Sequence, residues 1–160
     1  MKRIFLTLLF TGSVAAAALA QSAQFQEAMT KQTADLDSSS SFTAEVLQQK
    51  SNTFERIADA EKSQWLPYYY AGLSLSTAGW NDPKLDKDAN STRIGVLCDK
   101  AETIEKNAEI YALRNMAATQ QMMVDPQTRW QTYGQQASAD LQSGLKLDPD
   151  NPRLYYLQGE

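Results

Sequence analysis

The stretch ASADLQSGLKLDPDNPRLYYLQG, from Ala137 to Gly159, decides the fold. Ala137, Leu141 and Gly144 are spaced four and three residues apart, so they share one face of a helix. The small residues on this face allow a second helix to approach closely, and Leu141 fills the space between the two helices. Pro149 ends the helix before a turn, because proline cannot continue an α-helix. The stretch therefore predicts the end of one helical hairpin and the start of the next.

The chain repeats with an offset of 43 residues. Four features come into register at this offset. They are an aromatic column, a column in the middle of each second helix, a column of small residues and an Asp-Pro dipeptide. Their members are Phe25, Tyr68 and Tyr111; Ser51, Ile94 and Ala137; Ala58, Ala101 and Gly144; Asp82-Pro83 and Asp125-Pro126. These matches predict repeated units at 22–64, 65–107 and 108–150, with a fourth unit that begins at Asn151.

Each unit contains two predicted helices, and no stretch shows the alternation of a strand. We expect helices over 23–36, 43–61, 65–78, 87–106, 108–123 and 126–147, with a polar loop at 37–41. This order predicts an all-α fold, an α-solenoid of antiparallel helix pairs. The common period of helical-hairpin repeats is roughly 34, so we expect the additional residues in enlarged loops at 79–87 and 124–131.

The repeated pattern resembles that of tetratricopeptide-repeat proteins. The segment from Tyr68 to Leu75 has the spacing of W-x2-L-G-x2-Y, and the segment from Ala137 to Pro149 follows A-x3-F and then P. FERIADAEKSQWLPYYYAG, LCDKAETIEKN and KLDPDNPRLYYLQG are similar to stretches of the secreted tetratricopeptide-repeat proteins of Bacteroidota. The resemblance implies an α-solenoid and a protein-interaction role, without catalytic residues. A period of 43 also falls within the range of HEAT-type repeats.

Three places depart from the repeat pattern. Arg114-Asn115 stands where Leu-Gly is expected, and Gln158 replaces the Leu before Gly159. At the 43-residue offset, Glu55 also stands in a column whose other members are Cys98 and Leu141. The sequence stops at Glu160, within a new helix that has no partner helix. We therefore expect either a truncated C-terminus or a short natural cap that packs back on the preceding helix.

The N-terminal segment MKRIFLTLLFTGSVAAAALA has the parts of a secretory signal peptide, a positive start, an apolar run and a small-residue cleavage site. We expect cleavage between Ala20 and Gln21. Residues 1–20 are then the signal peptide, and 21–160 form one solenoid domain in the periplasm or outside the cell. The alternative is an uncleaved membrane anchor, since the apolar run is close to the minimum spanning length.

Composition excludes several classes of function. Without Lys2 and Arg3, 13 basic residues remain against 19 acidic ones, a net charge of −6, which argues against nucleic acid and anionic lipid as partners. The 160 residues include no histidine, so Ser-His-Asp and Cys-His catalysis and His-ligated zinc are excluded. Cys98 has no second cysteine to pair with, and it is either a packed small hydrophobe or a reactive thiol.

The expected binding surface is a concave groove lined by the first helix of each unit. If 25, 68 and 111 are equivalent, the lining residues follow one and five positions later. In the second and third units these residues are Tyr69, Leu73, Ala112 and Met116. Such an apolar groove suits a helix or an extended apolar peptide. The alternatives are burial against a fourth unit and simple solvation.

We therefore expect a non-enzymatic scaffold of the cell envelope that binds a protein or peptide, with no catalytic residues, cofactor or metal. The alternative is a structural subunit of a larger outer-membrane or secreted enzyme or transport assembly. Asp82, Asp86 and Asp88 lack the glycine and the final glutamate of an EF-hand, so they predict a solvated loop with a helix cap. Met122, Met123 and Val124 are expected to form a helix end that packs into the core, and the alternative is a metal-binding thioether pair.

Overall fold

The computed structural model describes residues 23–159, and every regular element in this range is a helix. The prediction of an all-α fold is therefore confirmed. The chain divides into two compact units, Met1–Ala34 and Asp35–Glu160. The predicted signal peptide and its cleavage site after Ala20 lie outside the described residues.

The described part of the first unit is helix α1, which spans 23–33. Phe25 and Met29 are buried, and their spacing of four residues places them on one face of the helix. The hydroxyl of Thr33 donates a hydrogen bond to the backbone carbonyl of Met29 at 2.9 Å. Helix α1 is thus amphipathic, and Phe25, the first member of the aromatic column, is a core residue.

The second unit contains the remaining helices. They are a 3₁₀ helix at Leu36–Ser41; α2, Ala44–Ala60; α3, Leu66–Asn81; α4, Lys87–Ile104; α5, Ala108–Met122; α6, Pro126–Arg129; a π-helical turn at Trp130–Gly134; α7, Gln135–Leu147; and α8, Pro152–Gly159. Thr43, Asp86, Asn107 and Asp125 cap α2, α4, α5 and α6, since each side chain accepts a backbone N–H of the first turn. Short polar side chains therefore set where these helices begin.

The prediction of enlarged loops was wrong. The links between α3 and α4 and between α5 and α6 are short, at 82–86 and 123–125, and the predicted loop at 37–41 lies within the 3₁₀ helix. Helix α3 continues to Asn81 because side chains bind the backbone around its end. The Asn81 amide donates to the carbonyl of Phe42 at 2.9 Å, and the Lys87 ammonium donates to the carbonyls of Gly79 and Asp82. Most of the additional residues in each unit lengthen helices.

Consecutive helices pack against each other from α2 to α5, and α5 also packs against α7 and α8. Asn90 in the first turn of α4 donates to the carbonyl of Leu75 in the second half of α3 at 2.9 Å, so α3 and α4 are antiparallel. Ser76 of α3 accepts a hydrogen bond from Gln120 of α5, and both lie in the last part of their helices. Helices α3 and α5 therefore lie side by side and parallel.

Many polar contacts between helices join residues that are 38 to 44 positions apart. The pairs are Arg93 with Glu55 and Asn52, Asn81 with Phe42, Tyr69 with Glu109, Arg129 with Asp88, Asn151 and Arg153 with Glu109, and Gln120 with Ser76. These separations lie around the 43-residue offset of the sequence. Residues about one repeat apart, on helices such as α2 and α4 or α3 and α5, therefore meet repeatedly along the chain.

The core near the C-terminus depends on close helix approach. Ala108, Ala112 and Leu154 form a buried cluster, against which Leu141, Leu145 and Leu157 pack. Gly144 lets α8 approach α7, because a Cβ there would lie 2.8 Å from Cδ1 of Leu154. Gly144 thus behaves as its place in the small-residue column predicts.

Candidate ligand-binding face

Small residues and buried hydrogen bonds hold α3 and α5 in register. The Gln120 side chain is 1% exposed and donates to the Ser76 carbonyl at 2.7 Å and to the Ser76 hydroxyl at 3.1 Å. Gly79 provides the room for this amide, because a Cβ there would lie 2.9 Å from the Gln120 amide carbon. Gly72 makes similar room for Leu113, whose Cδ2 would lie 2.7 Å from an added Cβ. These contacts determine which residues of the two helices are neighbours.

Two of the four predicted groove residues are buried. Tyr69 is 6% exposed, and its hydroxyl donates to the Glu109 carboxylate at 3.1 Å. Burial raises the pKa of the Tyr69 phenol, so this hydroxyl keeps its proton. Ala112 is fully buried in the cluster with Ala108 and Leu154. Both side chains lie beneath the surface and support it from within.

The other two predicted residues, Leu73 and Met116, are half-buried and belong to two rows with a spacing of seven residues. The rows are Leu66, Leu73 and Trp80 on α3, and Glu109, Met116 and Met123 along α5 and just beyond its end. Residues seven apart share one face of a helix, and each residue differs from its counterpart in the other row by 43 positions. Because α3 and α5 are parallel, the six residues form one surface, which we name the α3–α5 face. Trp80 and Met123 are its most exposed members, at 51% and 53%.

A polar cluster closes the N-terminal end of the α3–α5 face. The Glu109 carboxylate accepts hydrogen bonds from the Tyr69 hydroxyl at 3.1 Å, the Asn151 amide at 2.9 Å and Nε of Arg153 at 2.8 Å. One carboxylate on α5 therefore joins α3 to the start of α8. The Arg153 side chain remains 46% exposed.

The segment that follows α5 carries an exposed tryptophan and a half-buried arginine. Arg129 forms two hydrogen bonds with the Asp88 carboxylate, at 2.7 and 3.0 Å, and lies over the Tyr133 ring. Trp130 is 58% exposed and covers Gly134, where an added Cβ would lie 2.7 Å from Cζ3 of the indole. Glycine at 134 thus leaves room for the indole in this position within the π-helical turn. Turns of this kind are rare and are often found at functional sites.

The aspartates between α3 and α4 are engaged in local structure. Asp86 accepts the backbone N–H groups of Asp88 and Ala89, both at 3.0 Å, and Asp88 pairs with Arg129. Asp82 accepts the backbone N–H of Lys84 at 2.8 Å. Within 23–159, no three His, Cys, Asp or Glu residues are grouped so that they could hold a metal ion.

Cys98 is 1% exposed, and its thiol lies 3.9 Å from the carbonyl of Ile110. Burial raises the pKa of the Cys98 thiol to about 12. Because the thiolate is the reactive form of cysteine, this geometry favours the packing interpretation over the reactive one.

A pocket of about 390 Å³ lies beside the 3₁₀ helix and the end of α3. Its lining consists mainly of polar residues, namely Ser40, Ser41, Phe42, Thr43, Ala44, Glu45, Asn81 and Asp82. It lacks the apolar walls of a typical small-molecule site. The α3–α5 face is therefore the better candidate for an apolar ligand.

The fold is similar to that of the HusA haemophore from Porphyromonas gingivalis. The two structures have a TM-score of 0.75 and are 34% identical in sequence, and the match covers 84% of this chain and 65% of the haemophore chain. This chain thus spans less than two thirds of the haemophore's length. The likeness is to a binding protein from a Bacteroidota species and not to an enzyme.

No known protein family matches the chain, and no curated protein matches it either. The likeness to the haemophore leaves membership of the tetratricopeptide-repeat class a prediction. Within the part of the chain that the structure describes, no helix is both long enough and apolar enough to span a membrane.

Sequence reasoning missed Trp80, and its expectation that Met123 and Val124 pack into the core was wrong, because they are 53% and 49% exposed. It considered positions one and five residues beyond the aromatic column, and it stopped there. Trp80 follows Leu73 by seven residues, Met123 follows Met116 by seven, and the two new residues are themselves 43 apart. Extending the same helical face by two turns would have found them.

Proposed function

We propose that this chain is a non-enzymatic binding protein that carries haem or a closely related tetrapyrrole on the α3–α5 face. The observation that carries the proposal is the likeness to a haemophore at 34% identity over 84% of the chain. The face adds a chemical reason, because five of its six residues are Leu, Trp or Met with part of their surface in solvent. Flat apolar ligands bind to surfaces of this composition.

The side chains present fit haem through apolar contact. The sequence has no histidine, and Cys98 is buried with a raised thiol pKa, so neither supplies an iron ligand. The thioethers of Met116 and Met123 are the sulfur donors on the face, and Trp80 offers a ring for stacking. Haem is the cargo of this carrier, and the proposed role requires no reaction of it.

The proposed location is the periplasm or the extracellular space. The N-terminal segment carries the pattern of a signal peptide with cleavage after Ala20, and the similar protein is a haemophore from a Bacteroidota species. A carrier that collects a ligand outside the cytoplasm would need such a segment.

The proposed architecture is a short α-solenoid of the tetratricopeptide type with units at 22–64, 65–107 and 108–150. The contacts at separations of 38 to 44 residues and the parallel course of α3 and α5 support it. In a solenoid each unit contacts its neighbours along the chain. The first helices of the second and third units, α3 and α5, then form a continuous ligand surface.

Titration of the purified protein with haemin, followed through the Soret absorbance, tests the proposed function. Met123→Asp places a charge on the α3–α5 face at a residue that is 53% exposed. We expect it to weaken haemin binding by about tenfold or more, because the ligand would cover an unpaired carboxylate. Val96→Asp is the matched control, since Val96 is 50% exposed on α4 and lies outside the face.

The results separate three cases. Loss of binding in Met123→Asp with normal binding in Val96→Asp supports haem carriage on this face. Equal binding in both variants would move the site elsewhere on the molecule. The absence of saturable haemin binding by the unchanged protein would overturn the proposed function.

A second candidate is a protein or peptide ligand on the same face. Leu66 and Trp80 are fourteen residues apart on one helix, so the α3 row is about 21 Å long and open along its length. A long open row suits an apolar helix or an extended peptide.

A crosslinked pull-down with the unchanged protein and with Leu73→Asp plus Met116→Asp tests this candidate, and one partner recovered only by the unchanged protein would support it. Recovery of one constant membrane complex by both proteins would favour the structural-subunit alternative.

A further inference from the structure

Arg153 occupies a fixed position beside the N-terminal end of the α3–α5 face. The Asn151 side chain accepts the backbone N–H groups of Arg153 at 3.0 Å and Leu154 at 3.2 Å, so it caps α8. Leu154 is fully buried in the cluster with Ala112, which fastens α8 to α5. The backbone of Arg153 is therefore held from both sides.

The guanidinium of Arg153 is oriented through one nitrogen only. Its Nε donates to Glu109 at 2.8 Å, and within 23–159 no protein group bonds to its two Nη groups. The Arg153 side chain is 46% exposed. A guanidinium held in this way presents a planar pair of donors, which matches the two oxygens of a carboxylate.

The carboxylates beside Arg153 already accept hydrogen bonds from neighbouring side chains. The Glu109 carboxylate already accepts from Tyr69, Asn151 and Arg153. Asp148, the other carboxylate bound to this cluster, accepts the Asn151 amide at 3.2 Å. An incoming anion would find its donors on Arg153.

The distance along α5 suits a ligand with an apolar body and an acidic end. Glu109 and Met116 are seven residues apart on one helical face, a rise of about 10 Å. We propose that Arg153 binds a carboxylate of an apolar ligand whose body lies on Leu73 and Met116, an inference that rests on the proposed function. The ligand class is then a planar apolar carboxylic acid, and the propionate groups of haem meet this description.

The test compares haemin with haemin dimethyl ester, in which both carboxylates are esterified. We expect the unchanged protein to bind haemin on the order of tenfold more tightly than the ester. Arg153→Met should remove this preference by weakening haemin binding while ester binding stays the same. Arg56→Met, the same change at an exposed residue of α2, should keep the preference.

Glu109→Gln guards against a purely structural effect of the Arg153 change, because it retains an acceptor for Arg153 but removes the competing charge. We expect it to keep or increase the preference for haemin, with a helical circular dichroism spectrum. If Arg153→Met binds haemin and retains the full preference for haemin over the ester, the proposed contact between Arg153 and a ligand carboxylate is wrong and the proposed function stands. If the unchanged protein binds neither compound, both the proposed function and the proposed Arg153 contact are wrong.

Discussion

The side-chain amide of Gln120 on α5 donates a hydrogen bond to the backbone carbonyl of Ser76 on α3 at 2.7 Å, across 44 positions of sequence. Both residues are buried, so water cannot replace the bond. The bond fixes how far α3 can slide along α5. It therefore also determines that Trp80 and Met123 lie at the same end of the α3–α5 face.

Gly79→Ala should destabilise the protein, because the added methyl group overlaps the Gln120 amide. We expect the free energy of unfolding to fall by about 1–3 kcal/mol, as for other overpacked cores. Urea unfolding followed by circular dichroism measures it. Gly95→Ala is the control, since a Cβ at this position of α4 meets open space and should stabilise the helix by about 0.5–1 kcal/mol. Equal effects of the two changes would contradict the packing between α3 and α5.

Leu154→Ala should lower the free energy of unfolding by about 2–5 kcal/mol, because Leu154 is fully buried and the change leaves a cavity between α5, α7 and α8. Tyr155→Ala, one residue later, removes a side chain that is 54% exposed and should change stability by less than about 0.5 kcal/mol. Thermal unfolding of both variants measures the difference. A small effect of Leu154→Ala would show that α8 contributes little to the core.

Cys98 should react slowly with a disulfide reagent at pH 8. Burial raises the pKa of its thiol to about 12, so almost no thiolate forms in the folded protein at this pH. The reaction should become fast in urea at concentrations that unfold the chain. Rapid labelling of the folded protein would instead indicate an accessible, reactive thiol.

Asp140→Asn should stabilise the protein at neutral pH. Asp140 is 6% exposed, and burial raises the pKa of its carboxyl group, although Gln136 and Arg114 oppose this shift. The folded state therefore prefers the protonated acid, and stability from this group is lost as pH rises through the raised pKa. We expect a gain of about 1 kcal/mol at pH 7 that disappears near pH 3, where both forms are neutral.

Glu102→Gln should change stability in the opposite direction from Asp140→Asn. The Tyr111 hydroxyl donates to Glu102 at 2.6 Å and Arg114 pairs with it at 2.9 Å, and these interactions lower the pKa of Glu102. The ionised Glu102 carboxylate therefore stabilises the folded protein above the ordinary carboxyl pKa, and this stabilisation is lost as pH falls through the lowered pKa. The substitution should therefore destabilise the protein at pH 7 and have little effect near pH 3. The same direction of effect for both variants would contradict these assignments.

The helices were largely predictable because their signals are local. Thr43, Asp86, Asn107 and Asp125 cap helices close to the expected starts. The end of α3 was not predictable in this way. It depends on Asn81, which donates to the distant carbonyl of Phe42, and on Lys87, which donates back to the carbonyls of Gly79 and Asp82, and these bonds form only in the folded chain.

The departures from the repeat pattern have structural reasons that no single position could reveal. Glu55 on α2 pairs with Arg93 on α4. Arg114 on α5 pairs with Asp99 and Glu102, which also lie on α4. Asn115 is buried, and its amide donates to the carbonyl of Ala137 at 2.8 Å. Polar residues replaced the expected residue types there because each has a partner on another helix.

The candidate site was only partly predictable for a related reason. The repeat offset pointed to Leu73 and Met116, which are half-buried in the structure. It could not show that the Tyr69 hydroxyl binds Glu109, nor that Leu154 covers Ala112. Burial depends on what lies above a residue, and the offset describes only which residues are equivalent.

The π-helical turn at Trp130–Gly134 also bears on how chain length can change within this protein. A π turn holds more residues than an α turn, so the surplus is absorbed inside a continuous helical segment. Deletion of Gln131, which is exposed, would convert the turn to ordinary α-helix and leave the register of α7 with α5 intact. Small insertions and deletions can therefore be tolerated at this turn, in the middle of a helical segment, without moving the residues that form the α3–α5 face.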